Sequence, residues 1–310
     1  MVTMEGSKLL ISSYKDKYLA VYYKGDKAYD IEVLDKGLRI LDSIHIAKVG
    51  NIADNISAAF LDIVNPSNKE ERLKAYYSLT DNKRHIYTDF SEHERLKQND
   101  EILVQITKEA AKGKACIASS NISLSGVYTV LSLGQGKITF SSKIDDKAWK
   151  EEIKAEIEGY LDKDLNLVLR TNSYKVKNEL ILKELLQLSE EMKGLLEKAR
   201  HTKAPALIKL SDKEYIGLLK QYLNGELKEI ITDIDEVFED ISAYLKDSDK
   251  SKILSCRLYK DELLPLNKLY ALDSLIESVK QRKVWLKNGA YIVIDYTEAM
   301  TVIDVNTGKT

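Results

Sequence analysis

The chain has 310 residues, 44% hydrophobic and 31% charged, a balance typical of a water-soluble folded protein with two or three compact units. Its formal net charge of −2 does not favour a nucleic-acid binder, so any such binding must come from local patches. No stretch approaches the roughly 18 apolar residues of a membrane helix, and no signal peptide opens the chain, which together predict a cytoplasmic protein. Cys116 and Cys256 lie far apart and predict reduced thiols, not a disulfide or zinc site.

The first third of the chain predicts β structure. Its segments are short, rich in Tyr, Val and Ile, and separated by turn residues such as Lys24-Gly25-Asp26. The predicted strands are Lys8–Ser13, Lys17–Lys24, Ala28–Leu34, Leu38–Val49, Ala58–Val64, Ile102–Thr107 and Ala115–Ser119. Strands this short and closely spaced indicate a small barrel or sandwich, with the polar run 65–72 as an exposed loop inside it.

The middle of the chain mixes strands with helices. From Val127, two strands on either side of Gly134-Gln135-Gly136 predict a hairpin. Helical spacing predicts two amphipathic helices, one with Trp149, Ile153, Ile157 and Tyr160 and a longer one with Leu185, Leu188, Met192 and Leu196. An apolar strand, Leu165–Leu169, lies between them and ends at Arg170-Thr171.

After Pro205, strands and helices alternate, which indicates an α/β layer. The predicted order is strand Ala206–Leu210, a helix opened by a Ser211/Glu214 capping box, strand Lys228–Thr232, helix Asp235–Lys246 and strand Ile253–Tyr259. Pro265 precedes one more amphipathic helix, with Leu269, Leu272, Ile276 and Val279 on its apolar face. The last predicted element is a hairpin of Ala290–Ile294 and Met300–Val305.

The last predicted strand carries the most informative polar residues, Asp304 and Asn306. Residues two apart in a strand share a face, so these two should point one way while Ile303 and Val305 point into the core. A carboxylate at the end of a strand suits a hard metal ion, and an adjacent amide can orient it. Without further context, an Asp followed by Asn-Thr-Gly is more often a simple turn.

The segment from Leu264 to Thr310 resembles the part of ribonuclease E/G proteins that leads into their first catalytic aspartate. The resemblance rests, in order, on Pro265-Leu266, Gln281-Arg282, Ile292–Asp295, Thr297–Ala299 and Ile303–Asn306. It implies a Mg²⁺-dependent endoribonuclease that cleaves single-stranded RNA in RNA processing and decay. Asp304 would be the first catalytic metal ligand, and Asn306 its catalytic amide neighbour.

The resemblance also implies a second metal-binding aspartate, on a strand later than Thr310. One carboxylate holds Mg²⁺ poorly and does little to activate water at a phosphate, so we expect the 310-residue chain to be inactive alone. The alternative is a non-catalytic RNA-binding protein. A metabolic α/β enzyme is less favoured, since no G-x-G-x-x-G or P-loop pattern occurs. A homo-oligomer of the full-length protein stays open.

Two upstream segments resemble the pocket with which the family senses the 5′-monophosphate of RNA. One is Val168–Thr171, whose Arg170 and Thr171 would bind the phosphate through a guanidinium and a hydroxyl. The other is 122–131, in which Gly126 would allow close backbone approach and Val130 would form an apolar wall. Ser142 stands where the family usually has a second arginine. Without the resemblance, Arg170 is more often a strand-end arginine paired with a surface carboxylate.

The β-rich region resembles the family's OB-fold RNA-binding barrel. Phe60 would stack on a base, Tyr76 would be a second aromatic, and Lys114 would contact backbone phosphate. The alternative for Phe60 is an ordinary core aromatic. Farther along, Lys280, Arg282, Lys283 and Lys287 surround Trp285, which indicates either another RNA-facing patch or a solvated charged surface.

The resemblance implies a multidomain fold of the α+β and α/β classes. A ribonuclease-H-like layer would comprise 1–35 and 205–280, an OB-fold barrel 36–119, a 5′-sensor region 120–204, and the start of a DNase I-like nuclease subdomain 281–310. The order of the strands and helices predicted above agrees with this division.

Overall fold

The computed structural model describes residues 6–88, 95–110, 114–223, 226–247, 254–298 and 300–307. Ile253 and Ala299, which belong to predicted segments, lie outside these ranges. The strands are β1 (Ser7–Tyr14), β2 (Lys17–Lys24), β3 (Lys27–Leu34), β4 (Ile44–Ala53), β5 (Ala58–Val64), β6 (Arg72–Ser78), β7 (Glu101–Lys108), β8 (Cys116–Ser119), β9 (Ser123–Ser125), β10 (Thr129–Leu133), β11 (Ile138–Phe140), β12 (Leu165–Leu169), β13 (Ala206–Lys209), β14 (Leu227–Thr232), β15 (Ser255–Leu258), β16 (Lys283–Trp285), β17 (Tyr291–Tyr296) and β18 (Thr301–Asn306). The helices are α1 (Lys147–Ile157), α2 (Asn178–Arg200), α3 (Glu214–Tyr222), α4 (Asp235–Asp247), α5 (Leu266–Leu269) and α6 (Leu272–Val279).

The first sheet joins distant parts of the chain in the order β15-β14-β1-β2-β3. β1, β2 and β3 are antiparallel neighbours, whereas β14 and β15 run parallel to β1. Leu9 and Ile11 of β1 belong to the same core as α3 and α4, while Leu10 packs with α5 and α6. Helices therefore cover both faces of this sheet, which explains why the consecutive residues Leu9, Leu10 and Ile11 are all fully buried.

The second sheet closes into a five-stranded barrel, which decides the predicted choice between barrel and sandwich and gives the chain a mixed α+β fold. The first three predicted strands, β1 to β3, lie outside it. β4, β5, β6, β8 and β7 are hydrogen-bonded in that order, and β7 pairs back with β4. Small and branched side chains such as Ala47, Leu61 and Ile102 fill its core. The predicted loop is shorter than expected because β6 already begins at Arg72, where it pairs with Val64 of β5.

The third sheet has the order β11-β12-β10-β9, so the hairpin predicted around Gly134-Gln135-Gly136 is wrong. β12 lies between β10 and β11 and pairs with both of them. The Asn166 side chain fixes the crossing segment, because its Oδ1 accepts hydrogen bonds from the backbone N–H groups of Gln135 and Lys137 at 2.9 and 3.0 Å. Gly134 is required there, since a Cβ at this position would lie 2.0 Å from Asn166 Cγ.

Two predicted helix features differ in the structure. The Ser211/Glu214 capping box is wrong: the N-cap of α3 is Lys213, and the Glu214 carboxylate instead accepts from the Asp35 backbone N–H at 2.7 Å. The single helix predicted after Pro265 is divided into α5 and α6 at Ala271, whose φ of 48° is left-handed. Within the described ranges, no helix combines the length and the apolar composition that a membrane crossing requires.

The fourth sheet, β16-β17-β18, confirms the predicted terminal hairpin and adds β16 to it. The expectation that Ile303 and Val305 point into a core is wrong, because their side chains are 60% and 64% exposed. Among the described residues no buried cluster includes the strands of this sheet, so the apolar side of β18 has no layer packed against it.

Candidate active site and nucleic-acid interface

Asp304 lies on β18 with its side chain exposed to solvent. The Asn306 amide Nδ2–H donates a hydrogen bond to Asp304 Oδ2 at 2.9 Å, as their shared strand face allows. Asp304 lies opposite Val293 and Asn306 opposite Tyr291 in the antiparallel pairing with β17. The amide thus orients an accessible carboxylate, and the alternative of a simple turn does not hold for Asp304 itself.

The donor types at this position suit a hard divalent cation, which prefers carboxylate and carbonyl oxygens. Asp295, on the neighbouring strand, is held by the Arg282 guanidinium, with Nη2 2.6 Å from Oδ2. The hydrogen bond from Arg282 holds the pKa of the Asp295 carboxyl below its usual value, so Asp295 is a paired carboxylate. In the part of the chain that the structure describes, no three His, Cys, Asp or Glu side chains group as metal ligands.

Phe60 and Tyr76 face each other on the outer surface of the barrel. They are direct cross-strand partners on β5 and β6, with ring centroids 6.1 Å apart and planes at 75°. Both are half-buried and neither belongs to the barrel core, so the alternative of Phe60 as a core aromatic is wrong. Lys74, which the sequence did not single out, lies two residues before Tyr76 on the same face of β6, with its ammonium 2.6 Å from the Asp62 carboxylate.

Lys114 is exposed two residues before β8, the strand that pairs with β6 beside Tyr76. An edge-to-face aromatic pair with lysines nearby offers base stacking and phosphate contacts without reading sequence. The barrel surface therefore has the chemistry of a single-stranded nucleic-acid platform.

Arg170, Gly126 and Val130 lie together at the edge of a cavity of about 1040 Å³, which helices α2, α3 and α4 also line. Arg170 Nη1 donates to the Gly126 carbonyl at 2.7 Å, and Val130 is paired with Val168 across β10 and β12. Among the described residues the Arg170 side chain makes this one hydrogen bond, so further N–H groups of its guanidinium remain for a ligand. Its predicted alternative, a surface ion pair with a carboxylate, is not observed there.

Thr171 does not line this cavity, and its hydroxyl lies 2.9 Å from that of Ser141 at the end of β11. The Arg170 and Thr171 side chains therefore lie on two adjacent surfaces at the end of β12. Ser141 precedes Ser142 and Lys143, the segment in which the family's second arginine was expected.

Glu184 of α2 was missed by the sequence analysis and organises this pocket. Its carboxylate accepts hydrogen bonds from the backbone N–H groups of Val127, Tyr128 and Thr129 and from the Thr129 hydroxyl, each at 2.8 Å. A Cβ at Gly126 would lie 2.2 Å from Glu184 Oε1, so the close approach at this glycine is to a side-chain carboxylate. The loop's three N–H donors are thus engaged by the protein itself.

Lys220 of α3 was also missed. Its ammonium donates to the Ser125 carbonyl at 2.8 Å and lies 2.7 Å from the Asp212 carboxylate. Lys220 and Arg170 therefore hold two consecutive carbonyls of one loop. No local sequence pattern announces such contacts, because the partners lie 44 and 95 positions apart.

A model of the ribonuclease E/G family matches residues 123–310, and the chain belongs to this family. It is 29% identical over 318 residues to ribonuclease E of Escherichia coli (strain K12), covering 97% of this chain and 29% of that protein. It is 26% identical to ribonuclease E of a Synechocystis strain and 23% identical to ribonuclease G of Salmonella typhimurium, covering 44% and 63% of those proteins. The chain thus spans less than two thirds of the length of each.

Proposed function

We propose that this chain provides the RNA-binding surfaces and one metal-holding carboxylate of a Mg²⁺-dependent endoribonuclease acting on single-stranded RNA. Membership of the ribonuclease E/G family supports the activity class. The observation that carries the site assignment is the exposed Asp304 carboxylate oriented by the Asn306 amide at 2.9 Å. Asp304 would hold Mg²⁺ and Asn306 would keep the binding oxygen aimed. Bound Mg²⁺ would supply Lewis-acid polarisation of a substrate phosphate.

At the level of the fold, we propose that the mixed sheet of β1–β3, β14 and β15 is the ribonuclease-H-like layer and that the barrel is an OB-fold. The sheet of β16–β18 would belong to a DNase I-like nuclease subdomain. The parallel pairing of β1, β14 and β15 beside an antiparallel meander supports the first of these assignments.

The metal assignment is tested with Mn²⁺, which broadens the amide NMR signals of nearby residues. We expect broadening centred on β18 in the wild type, loss of it in Asp304→Asn, and weakening in Asn306→Ala. Asp273→Asn, an exposed carboxylate of α6, is the matched control and should change nothing. Uniform weak broadening that Asp304→Asn does not alter would favour the second candidate, a non-catalytic RNA-binding protein.

The same donor set leads us to propose that the 310-residue chain alone does not cleave RNA. Mg²⁺ is usually bound through one or two carboxylates plus substrate oxygens, and Asp295 is already paired with Arg282. The purified chain should bind a labelled single-stranded RNA yet leave it intact in millimolar Mg²⁺. Mg²⁺-dependent cleavage that Asp304→Asn abolishes would contradict this expectation.

We propose further that Arg170, Gly126 and Val130 line a binding site for the 5′-monophosphate, which Thr171 flanks from the adjacent surface. The remaining N–H groups of Arg170 support it, because a planar guanidinium takes phosphate oxygens in pairs. RNA with a 5′-phosphate should bind more tightly than the same RNA with a 5′-hydroxyl, and Arg170→Ala should remove the difference. Arg257→Ala, an exposed arginine paired with Glu229, serves as the control.

A further inference from the structure

The strand register places a second set of residues on the face of the terminal sheet that carries Asp304. Cross-strand partners share a face, and Trp285 lies opposite Tyr291, which lies opposite Asn306. The next row along the same face is Lys283, Val293 and Asp304. We call the surface formed by these six residues the Asp304 face.

The opposite face of this sheet is chemically different. It carries five apolar residues together with Tyr296 and Thr301; the five are Val284, Ile292, Ile294, Ile303 and Val305. The Asp304 face, in contrast, combines an ammonium group, two large aromatic rings, an amide and a carboxylate. A surface of that composition suits a ligand that is both charged and planar.

The aromatic part of the Asp304 face is a compact cluster. The Trp285 and Tyr291 ring centroids are 5.0 Å apart, and the Lys283 ammonium lies 4.0 and 3.6 Å from them respectively. Trp285 is 64% exposed, which is unusual for a tryptophan, because this residue type is highly buried on average. An exposed tryptophan beside a lysine is typical of surfaces on which bases stack and phosphates are neutralised.

The distance to Asp304 fits a single ligand that spans both groups. Tyr291 is diagonal to Asp304 on adjacent strands, a separation of roughly 7–8 Å. Trp285 is one strand farther, and strands are spaced by about 4.8 Å. If Mg²⁺ at Asp304 holds a phosphate, as the proposed function requires, the base of a neighbouring nucleotide would therefore lie over Tyr291 and Trp285.

We propose that Trp285 and Tyr291 form a base-stacking subsite for the nucleotide adjacent to the phosphate bound at Asp304, and that Lys283 neutralises the intervening backbone. This subsite rests on the proposed nuclease function and adds to it a contact for one base of the substrate. In the free protein the Lys283 ammonium covers the rings. A base displaces it, because an exposed cation–π contact is weaker than the stacking of a base on an aromatic ring. The displaced ammonium remains within reach of the phosphate.

The chain allows a direct test, because it contains two tryptophans, Trp149 and Trp285. Trp149 is half-buried between Phe140 and Tyr174, far along the chain from the Asp304 face. In Trp149→Phe the remaining emission reports on Trp285 alone. Titration with a 5′-hydroxyl oligoadenylate should quench it saturably, in parallel with the fluorescence anisotropy of a labelled copy of the same RNA. The reciprocal variant, Trp285→Phe, should show no such quenching.

Affinity provides the second readout. Trp285→Ala should weaken binding of the oligoadenylate by roughly 5- to 150-fold, the range expected for loss of one stacked base. The control is Tyr296→Ala, which removes an 85% exposed aromatic from the other face of β17 and should leave affinity unchanged. Lys283→Gln should reduce the dependence of affinity on salt by about one ion.

The outcomes separate this proposal from the proposed function. If anisotropy shows RNA binding that Phe60→Ala weakens while Trp285 emission stays constant, the subsite is refuted and the nuclease assignment stands. If Tyr296→Ala weakens binding as much as Trp285→Ala does, stacking at this position is likewise refuted. If no variant binds RNA at all, both proposals fail together.

Discussion

At the scale of single residues, the chemistry of this chain depends on carboxylates that accept hydrogen bonds from other groups of the protein. Asp304 accepts a hydrogen bond from Asn306, Asp295 is paired with Arg282, and Glu184 accepts from the backbone N–H groups of a whole loop. The first pairing was predictable, because residues two apart in a strand share a face. Glu184 was not, since its partners lie 55 to 57 positions away in sequence.

Replacing Glu184 with Gln should lower both stability and 5′-end discrimination. The amide would offer one acceptor oxygen to donors that now share two, and leaving a buried N–H unpaired costs about 1–3 kcal/mol. Chemical denaturation measures the first effect, and the affinity ratio for 5′-phosphate over 5′-hydroxyl RNA measures the second. Glu190→Gln, an exposed change on the same helix, is the control. Discrimination that survives in Glu184→Gln would show that the loop does not position Arg170.

His45 gives the folded state a defined pH dependence. Its imidazole is fully buried beside Ser43, and burial lowers its pKa to about 4 from an ordinary value of 6.5. Between these values the unfolded chain binds a proton that the folded chain does not, so stability falls as pH drops from about 6.5 to 4. The loss from this group should reach about 3 kcal/mol at pH 4, measured by urea unfolding.

His45→Leu tests this effect, and His201→Gln is its control, since His201 is exposed at the C-terminal end of α2. His45→Leu should flatten the acid limb of the stability curve. Identical curves for wild type and His45→Leu would mean that other groups cause the acid sensitivity.

At the scale of elements, the local spacing of apolar residues was enough to predict where several strands begin and end. Lys17–Lys24, Ala58–Val64 and Leu165–Leu169 form strands with the bounds their sequences predict. Pairing partners could not be predicted in the same way. The strands around Gly134 are close in sequence, yet β12 inserts between them and pairs with both, and Asn166 binds the segment that connects them.

The crossing segment supplies a prediction at this scale. Gly134→Ala should destabilise the third sheet by about 1–3 kcal/mol, because the new methyl group displaces Asn166 and breaks its two backbone hydrogen bonds. Gly159→Ala is the control, since nothing lies within 4 Å of a Cβ there. The midpoint of thermal unfolding measures both. Equal midpoints for the two variants would show that Asn166 moves without cost.

On the barrel, we expect Phe60→Ala and Tyr76→Ala to weaken single-stranded RNA binding by similar amounts. The two rings contact each other edge to face, so removing either disturbs the surface that both form. The double variant should lose less than the sum of the single losses, because contacting residues are not additive. Anisotropy titrations at fixed salt measure all three, and full additivity would indicate two independent sites.

At the scale of the whole molecule, β1 pairs with β14, although most of the chain separates the two strands in sequence. The Ser12 hydroxyl likewise donates to the Asp233 carboxylate, 221 positions away, at 2.8 Å. The barrel and the third sheet lie in sequence between these two halves. Composition could not reveal that arrangement, since a net charge of −2 and average hydropathy fit many folds. The strand and helix order agreed with it, but the long-range pairing came only with the structure.

The uncovered apolar side of the terminal sheet has a consequence for behaviour at high concentration. Ile303 and Val305 present branched hydrocarbon to water beside a sheet edge, and a net charge of −2 provides little repulsion between molecules. Light scattering should therefore show an average mass that grows with protein concentration and with salt. Threonine at both positions should suppress that growth, whereas Val302→Thr, on the opposite side of the same strand, should not. An average mass that never varies would mean that these side chains do not drive association.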